Sequence, residues 1–268
     1  MNDLEKKYYE DAAFWEGEML HDEQNMERFN LTASFIPDDV KSILDAGCGN
    51  GVFVNLLSSQ RPKLNIHALD RSQEALKYVN VSKTLGDVSD LPFENNSFDC
   101  VSCLEVIEHL PIPSFERALD ELARVASKYL LISVPYNEVL EDSYTRCPSC
   151  KSIFNYELHL RNFDDKKFND LLTSRNFKIA RVVKTGAAKT LVFQKEFRRV
   201  FYPEQFLQWS SPICPLCGYE EKKVKSLNGT IQPKRKLISY LTIVPKLIWP
   251  SYTKYYWIIG LFEKIGKK

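Results

Sequence analysis

The stretch Ile43-Leu44-Asp45-Ala46-Gly47-Cys48-Gly49-Asn50-Gly51 combines a short apolar run, an acid and three closely spaced glycines. The apolar run predicts a buried strand that ends at Asp45, and the glycines predict a tight turn that opens a helix. Glycine is needed where the backbone bends sharply and approaches a ligand without an intervening Cβ atom. The stretch therefore predicts a ligand-binding loop after the first strand.

The spacing of these glycines differs from that of dinucleotide-binding loops. Those loops use G-x-G-x-x-G, with a pyrophosphate at the N-terminus of the helix. Here the pattern is G-x-G-x-G, and the third glycine of the dinucleotide pattern would fall on Val52. An acid also precedes the loop directly, which favours a cationic ligand over a pyrophosphate.

The segments that flank the loop alternate between strand and helix patterns. Alternation of this kind predicts an α/β fold with a Rossmann-like open sheet that is mostly parallel. We expect strands at residues 42–44, 64–69, 82–85, 98–102 and 129–134, and helices at residues 52–57, 73–79, 114–125 and 164–175. Two further strand patterns, at 177–184 and 190–197, predict an antiparallel hairpin that closes the edge of the sheet.

Taken in order, these motifs resemble class I S-adenosylmethionine (SAM)-dependent methyltransferases over residues 41–197. In that family the acid at Asp45 and the loop glycines Gly47, Gly49 and Gly51 bind the amino acid part of SAM. The acid that ends the second strand, here Asp70, binds both ribose hydroxyls, and two carboxylate oxygens suit a vicinal diol. The resemblance places Asp87, with Val88 beside it, at the adenine.

A second group of polar residues follows the fourth strand, at the edge of the sheet where ligands bind. It consists of Glu105, Glu108 and His109, with His159 further along the chain. His109 suits a general base, and Glu105 and Glu108 would share one face of a helical turn. The pattern is similar to the divalent-metal sites of small-RNA 3′-end and ubiquinone-pathway O-methyltransferases, which implies Mg²⁺ or Mn²⁺. The alternatives are that His109 packs structurally and that His159 caps a helix.

Four of the seven cysteines form two Cys-Pro-x-Cys pairs, Cys147 with Cys150 and Cys214 with Cys217. Two such turns suit tetrahedral Zn²⁺, because each supplies two thiolates. A complete set of four ligands leaves no open position, so we expect a structural site; a redox pair is the alternative.

The composition suggests three regions: a helical cap at 1–40, a SAM-binding domain at 41–197 with a zinc insertion at 142–158, and a C-terminal region at 198–268. Residues 222–268 carry eleven basic side chains against one acid. Aromatic residues lie among these lysines, so we expect a helical tail that contacts a membrane surface, or that packs on the domain or forms a dimer contact. Nucleic acid is a third interpretation of the tail. Residues 1–20 lack the apolar core of a signal peptide, which favours a cytoplasmic location. A cytoplasmic protein of this kind could be free or associated with a membrane surface.

These features predict an enzyme that moves a methyl group from SAM to a small-molecule, sugar-like or lipid-linked acceptor. Two alternatives stay open. One is a SAM-binding scaffold that is stabilised by zinc and has no turnover, and the other is a metal-dependent RNA methyltransferase. The acidic main body makes nucleic acid the weaker partner, and the sequence does not decide the oligomeric state. Because SAM is already activated, we expect proximity and alignment to supply much of the catalysis.

Overall fold

The computed structural model describes most of the chain and divides it into two compact units. The described residues are 9–15, 23–191, 213–220 and 251–266. The first unit lies within residues 1–140, 158–186 and 255–268, and the second within residues 141–157 and 187–254. The expected strand at 190–197 and the basic segment at 222–250 fall largely outside the described residues.

The elements alternate between strands and helices through the first half of the chain. The strands are β1 (Ser42–Ala46), β2 (Asn65–Asp70), β3 (Ser82–Leu85), β4 (Phe98–Leu104), β5 (Ala126–Pro135), β6 (Tyr144–Arg146), β7 (Ile153–Asn155), β8 (Phe177–Thr185), β9 (Ala188–Leu191), β10 (Ser251–Lys254) and β11 (Trp257–Lys264). The α-helices are α1 (Ala12–Trp15), α2 (Glu23–Ala33), α3 (Val52–Gln60), α4 (Gln73–Leu76), α5 (Ile112–Val125) and α6 (Asp165–Asp170). Short 3₁₀ turns lie at Ile107–His109, Leu140–Ser143 and Thr173–Arg175.

The first unit is built on a seven-stranded sheet with the order β3-β2-β1-β4-β5-β11-β8. Strands β1 to β5 pair in parallel, and β11 runs antiparallel to both of its neighbours, β5 and β8. The strand order reverses between β1 and β4, and ligands bind at such reversals, outside the carboxyl ends of the strands. The loops that follow β1 and β4 are therefore placed to form one site.

Apolar side chains cover both faces of this sheet. Leu44 and Val101 belong to a core on the face that α5 covers, whereas the neighbouring Ile43 and Cys100 belong to a core with α2 and α3. Successive residues of a strand point to opposite faces, so central strands covered on both sides consist of almost continuous apolar residues. The short apolar runs in the sequence have this origin.

The mostly parallel Rossmann-like sheet predicted from the sequence is confirmed. Each of the five parallel strands lies where the apolar runs placed it, with ends that differ by a few residues. Helix α5 follows the expected pattern, because its residues Ala118, Leu119, Leu122 and Val125 are buried. The helix expected at 73–79 is shorter, since α4 ends at Leu76.

The antiparallel closure of the sheet is present, but the hairpin predicted to form it is wrong. Within the described residues, β8 does not pair with β9, the strand that follows it. Its partner is β11, with Ile259 opposite Val183 and Gly260 opposite Val182. Strand β9 pairs instead with β10 in a separate two-stranded sheet. A strand from far along the chain thus takes the place predicted for a sequence neighbour.

The expected helical tail is corrected for residues 251–266, which contain β10 and β11; residues 221–250 lie outside the described part. Four apolar side chains of β11 are buried in the sheet cores: Ile258, Ile259, Leu261 and Phe262. Buried side chains cannot contact a membrane, so residues 257–264 follow the alternative prediction that the tail packs on the domain. Among the described residues, no helix has the length and apolarity needed to cross a bilayer.

Candidate active site

The glycine loop after β1 adopts the left-handed backbone geometry that its composition predicts. Gly47, Gly49 and Gly51 have φ angles of 84°, 54° and 78°, in the left-handed region that favours glycine. The N–H groups of Gly47 and Cys48 donate to the carbonyl of Leu69 at 2.7 and 3.0 Å. A Cβ atom on Gly47 would lie 2.5 Å from Cγ2 of Val106. The loop is therefore packed between the ends of β2 and β4.

Asp45 is a buried acid directly below this loop. Its side chain is only 2% exposed, and the hydroxyl of Ser102 on β4 donates to Oδ1 at 2.6 Å. Burial raises the pKa of Asp45 to about 7, and the nearby carboxylate of Asp70 acts in the same direction. A carboxyl group in this state gains from a cationic ligand, which would compensate its buried negative charge.

Asp70 ends β2 on the other side of the loop. Its Oδ2 accepts the N–H of Gly49 at 2.8 Å, and its Oδ1 accepts the N–H of Ser72 at 2.8 Å. Burial raises the pKa of this carboxyl group, while the two backbone donors lower it. These bonds fix the orientation of the carboxylate and leave further lone pairs on both oxygens for a ligand.

Asp87 and Val88 follow β3, and the structure gives them different surroundings. The exposed Asp87 accepts the N–H and the hydroxyl of Ser89 at 2.8 and 2.7 Å, so its carboxylate caps its own turn. Val88 is buried at 7% exposure and packs in the core.

The N-terminal segment contacts the same loop. A Cβ atom on Gly49 would lie 2.9 Å from the ring of Trp15, and Asn50 Nδ2 donates to the carbonyl of Trp15 at 2.9 Å. The carbonyl of Tyr9 accepts the hydroxyl of Ser72 at 2.7 Å. The sequence predicted a helical cap here; residues 12–15 and 23–33 are helical, and residues 1–8 and 16–22 lie outside the described part.

Glu105 lies where β4 ends, with a φ angle of +56° that is uncommon for a residue with a side chain. The hydroxyl of Ser133 on β5 donates to Glu105 Oε1 at 2.6 Å. The same oxygen lies 3.4 Å from Nη1 of Arg28, a buried arginine on α2. Because of this backbone geometry, Glu105 and Glu108 do not share one face of a regular helical turn as the sequence suggested.

Glu108, His109 and His159 do come together. One donor atom from each lies within 4.8 Å of the others, and the two imidazole rings are 4.8 Å apart between centroids. Glu108 is completely buried, and within the described part of the chain neither of its carboxyl oxygens has a hydrogen-bond partner. Burial and the neighbouring Glu105 raise the pKa of Glu108 well above its usual value. An unpaired buried carboxyl group of this kind indicates a ligand site.

The two histidines have different surroundings. Burial and the neighbouring His159 lower the pKa of His109 to about 3, so its ring is neutral and weakly basic near neutral pH. His159 Nδ1 instead lies 2.6 Å from a carboxylate oxygen of Glu138. A carboxylate in this position orients the imidazole ring.

Arg161 fixes the turn that carries Glu108 and His109. Its guanidinium donates to the carbonyl of Ile107 at 2.6 Å and to the carbonyl of Leu110. It also stacks 3.9 Å from the ring centroid of Phe115. The segment that supplies His159 thus also positions its partners.

Sequence reasoning missed Arg28, Glu138 and Arg161 as members of the site. Glu138 carries one weak signal, since it is an acid three residues after the strand that ends at Pro135. Arg28 and Arg161 belong to no recognisable sequence motif. They reach the site from α2 and from the segment before α6, which are distant from the strand ends in sequence.

The second unit contains the four expected cysteines in one cluster. All four sulfur atoms lie within 4.8 Å of one another, and Sγ atoms of Cys147 and Cys217 are 3.6 Å apart. The Sγ atoms of Cys150 and Cys214 are 3.8 Å apart. A disulfide needs about 2.05 Å between sulfurs, whereas a tetrahedron with Zn–S bonds of about 2.3 Å has sulfur–sulfur edges of about 3.8 Å.

The two cysteine turns have matching backbones. Each closes on a residue with a positive φ angle, Lys151 at 63° and Gly218 at 72°. That residue donates its N–H to the carbonyl of the first cysteine, Cys147 or Cys214, at 3.0 and 2.9 Å. The geometry agrees with a Cys₄ zinc site, and Cys48, Cys100 and Cys103 are buried in the first unit.

Comparison with known proteins points to one family. Residues 44–129 match the model of a methyltransferase domain. An uncharacterized protein of Methanocaldococcus jannaschii is 34% identical over 140 residues, which cover 51% of this chain and 52% of that protein. A phthiotriol/phenolphthiotriol dimycocerosates methyltransferase of Mycobacterium ulcerans is 31% identical over 136 residues, 46% of this chain and 49% of that protein. The chain thus spans about half the length of these relatives.

The fold extends beyond the matched segment. A chain of the Haloferax volcanii complex between the Trm112 methyltransferase activator and a methyltransferase superposes with a TM-score of 0.56. The two share 13% identity, and the match covers 96% of this chain and 95% of the other. At this identity the likeness concerns the fold alone.

Proposed function

We propose that this chain, whose residues 44–129 match a methyltransferase domain, is a SAM-dependent methyltransferase of class I and transfers the methyl group of SAM to an acceptor at the carboxyl edge of its sheet. The observation that carries this proposal is the arrangement of Asp45 and Asp70 on either side of the left-handed glycine loop. One acid is buried without a cation, and the other is held by the N–H of the loop residue Gly49. A sulfonium nucleoside supplies a cation for the first and a vicinal diol for the second.

The binding roles follow from this geometry. We infer that Asp45 and the loop of Gly47, Gly49 and Gly51 bind the amino acid part of SAM. Asp70 binds the ribose, and Val88 with Asp87 borders the adenine. The exposed Asp87 can exchange its bond with Ser89 for a bond to the adenine amino group. Tyr9 and Trp15 would then cover the cofactor from the N-terminal segment.

The reaction is an in-line displacement. The bond from the methyl carbon to sulfur breaks as the bond to the acceptor atom forms, and S-adenosylhomocysteine leaves. A hydroxyl or amine acceptor also loses a proton. His159 suits this proton better than His109 does, because the carboxylate of Glu138 lies 2.6 Å from its Nδ1, whereas burial keeps His109 neutral.

For the acceptor we propose a small-molecule, sugar-like or lipid-linked hydroxyl. A base beside the site is useful only for an acceptor that loses a proton, which favours an oxygen or nitrogen atom. The name of the Mycobacterium ulcerans relative refers to a lipid, which supports the lipid-linked class. A scaffold without turnover remains the alternative from another class.

Metal-dependent transfer is the second candidate mechanism, and the unpaired carboxyl group of Glu108 favours it. Glu108, His109 and His159 would hold the ion, and their mixture of oxygen and nitrogen donors suits Mn²⁺ better than Mg²⁺. A bound divalent ion would lower the pKa of an acceptor hydroxyl. Glu105 is not in this set, because its Oε1 accepts from Ser133. An RNA methyltransferase would fall under this mechanism.

We also propose that the four clustered cysteines bind a structural Zn²⁺ in the second unit. All four ligand positions are filled by thiolates, so the ion would have no open position for substrate. Its role would be to stabilise a region with few buried apolar residues.

Calorimetry with SAM and S-adenosylhomocysteine tests the cofactor site. We expect wild-type protein to bind both, and Asp70→Ala to weaken binding at least tenfold because it removes the acceptor for the ribose hydroxyls. Asp170→Ala, at an exposed carboxylate on α6, serves as the matched control. Absence of binding to folded wild-type protein, or equal binding by Asp70→Ala, would disprove the proposal.

A turnover assay distinguishes a methyltransferase from a SAM-binding scaffold without activity. Release of S-adenosylhomocysteine is measured with a catechol, a free sugar and a polyprenyl-linked phenol as acceptors. We expect release with at least one of them and a fall of at least tenfold in His159→Ala. Tight SAM binding with no release on any acceptor, RNA included, would favour the scaffold.

Direct binding of Mn²⁺, followed by electron paramagnetic resonance, tests the second mechanism. We expect Glu108→Gln to weaken Mn²⁺ binding at least tenfold, because it removes the buried anionic ligand, while Glu116→Gln on the exposed face of α5 leaves it unchanged. Full activity in the presence of a chelator, together with no Mn²⁺ binding, would exclude metal dependence.

A further inference from the structure

Arg28 is a buried cation with unused hydrogen-bonding capacity. The residue is 5% exposed, and its Nη2 donates to Asn25 Oδ1 at 3.0 Å. Its Nε and Nη1 atoms are buried and have no hydrogen-bond partner among the residues that the structure describes. Leaving the donors of a buried charged group unpaired is costly, so the arginine is arranged for a partner that is added later.

Two aromatic rings hold the guanidinium in place. Its Cζ lies 4.5 Å from the ring centroid of Phe29 and 5.0 Å from that of Trp257. Contacts of this kind orient the planar group and restrict its hydration. A fixed and poorly hydrated guanidinium binds an anion more strongly than a mobile surface arginine does.

Glu105 balances the charge of Arg28 without occupying its donors. The distance from Nη1 to Glu105 Oε1 is 3.4 Å. A charge-assisted hydrogen bond is shorter, at about 2.7–2.9 Å. The same carboxylate oxygen accepts the hydroxyl of Ser133 at 2.6 Å. The pair therefore keeps a buried arginine stable while its N–H groups stay available.

The position of Arg28 links it to the proposed SAM site. Glu105 is followed by Val106, whose side chain packs against Gly47 of the glycine loop. The charge of Arg28 also acts on the buried carboxyl group of Glu108. Arg28 thus pairs with the residue that precedes Val106, and its charge acts on the polar cluster beside the proposed acceptor site.

We propose that Arg28 is the anion-recognising residue of this site and binds a carboxylate or a phosphate of a ligand. This inference rests on the proposed methyltransferase function for the identity of the ligands. The anion is either the carboxylate of SAM itself or an acidic group of the acceptor. Both sources share the chemistry that a buried guanidinium recognises.

The first arm of the test compares SAM with decarboxylated SAM by calorimetry. If Arg28 binds the SAM carboxylate, wild-type protein should prefer SAM at least tenfold, Arg28→Lys should retain part of that preference, and Arg28→Met should lose it. The matched control is Arg181→Met, which removes an exposed arginine stacked 4.0 Å from the ring centroid of Phe35.

The second arm measures the binding of inorganic phosphate to the protein saturated with S-adenosylhomocysteine. Phosphate binding that is lost in Arg28→Met and kept in Arg181→Met would assign the anion to the acceptor. The inference is overturned if wild-type protein shows neither a preference for SAM over decarboxylated SAM nor phosphate binding that depends on Arg28.

The two proposals fail differently. If the methyltransferase function is wrong, wild-type protein binds neither form of SAM, and the phosphate titration is then made on the protein alone. If only the role of Arg28 is wrong, SAM binds normally and both anion measurements are negative. If Arg28→Met does not fold, Arg28→Lys carries the comparison in both arms, because it keeps the positive charge and changes the geometry of the donors.

Discussion

At the scale of single residues, the acid that precedes the glycine loop lies in unfavourable surroundings. Asp45 is 2% exposed, and its hydrogen bond with Ser102 only partly offsets the cost of its burial. Its pKa of about 7 exceeds the 3.8 of an unperturbed aspartate, so the folded protein binds this proton more tightly than the unfolded chain does. The contribution of this proton to the free energy of unfolding is present at low pH and is lost as the pH rises from 4 to 7.

Asp45→Asn should therefore stabilise the free protein at high pH. We expect the free energy of unfolding, measured by urea titration, to exceed that of wild type by on the order of 4 kcal/mol at pH 8 and to approach it below about pH 4. SAM affinity should fall at least tenfold at pH 8, because the carboxylate is gone. A stability difference that does not change with pH would contradict the assignment, and Asp170→Asn is the control.

Single residues differ in how well the sequence predicted them. Asp45, Asp70 and the loop glycines were visible because a strand, a turn and a helix start impose a local pattern on them. Arg28 and Glu138 were not, because their roles depend on where α2 and the end of β5 are placed by packing. The roles of His109 and His159 could be separated only once burial and the partner of His159 were known.

At the scale of elements, β11 is the strand on which closure of the sheet depends. It pairs along its length with β5 on one side and with β8 on the other. Gly260 lies in its middle, opposite Ile132 and Val182, and the ring of the buried Phe168 packs directly over it. The absence of a side chain at Gly260 is thus what lets α6 approach the sheet.

Gly260→Ala should destabilise the first unit. A Cβ atom there would lie 2.5 Å from Cε1 of Phe168, and overpacking of this kind costs about 1–3 kcal/mol. The midpoint of urea unfolding should fall accordingly. Gly266→Ala is the control, because a Cβ atom at that position meets nothing within 4 Å. An unchanged midpoint in Gly260→Ala would contradict this packing.

The sequence did contain a signal for β11. Residues 257–262 form a short apolar run, which is typical of a buried strand as well as of an aromatic tail. The hairpin prediction failed because it paired β8 with its nearest neighbour in sequence, whereas hydrogen bonds to a distant strand satisfy the same backbone groups. Parallel strands linked by helices were predictable because their crossovers are short.

At the scale of the whole molecule, the two units are stabilised differently. The first has apolar cores on both faces of its sheet. Among the described residues of the second unit, the buried apolar side chains are Cys147, Ile213 and Cys214. Two of these three belong to the cysteine cluster, so a metal would supply much of the folding free energy of that unit.

Elemental analysis of the purified protein tests this dependence on metal. We expect about one zinc ion per chain, loss of that ion in Cys214→Ser, and its retention in Cys100→Ala, which removes a core thiol of the first unit. Protein that is free of zinc, or Cys214→Ser protein that keeps it, would refute the assignment.

The late position of β11 in the chain has a consequence for biosynthesis. During translation β5 and β8 leave the ribosome well before Trp257 does, so their facing backbone groups wait for the strand that belongs between them. Open strand edges of this kind invite pairing with other nascent chains. The gap between β5 and β8 thus closes only after β11 has left the ribosome.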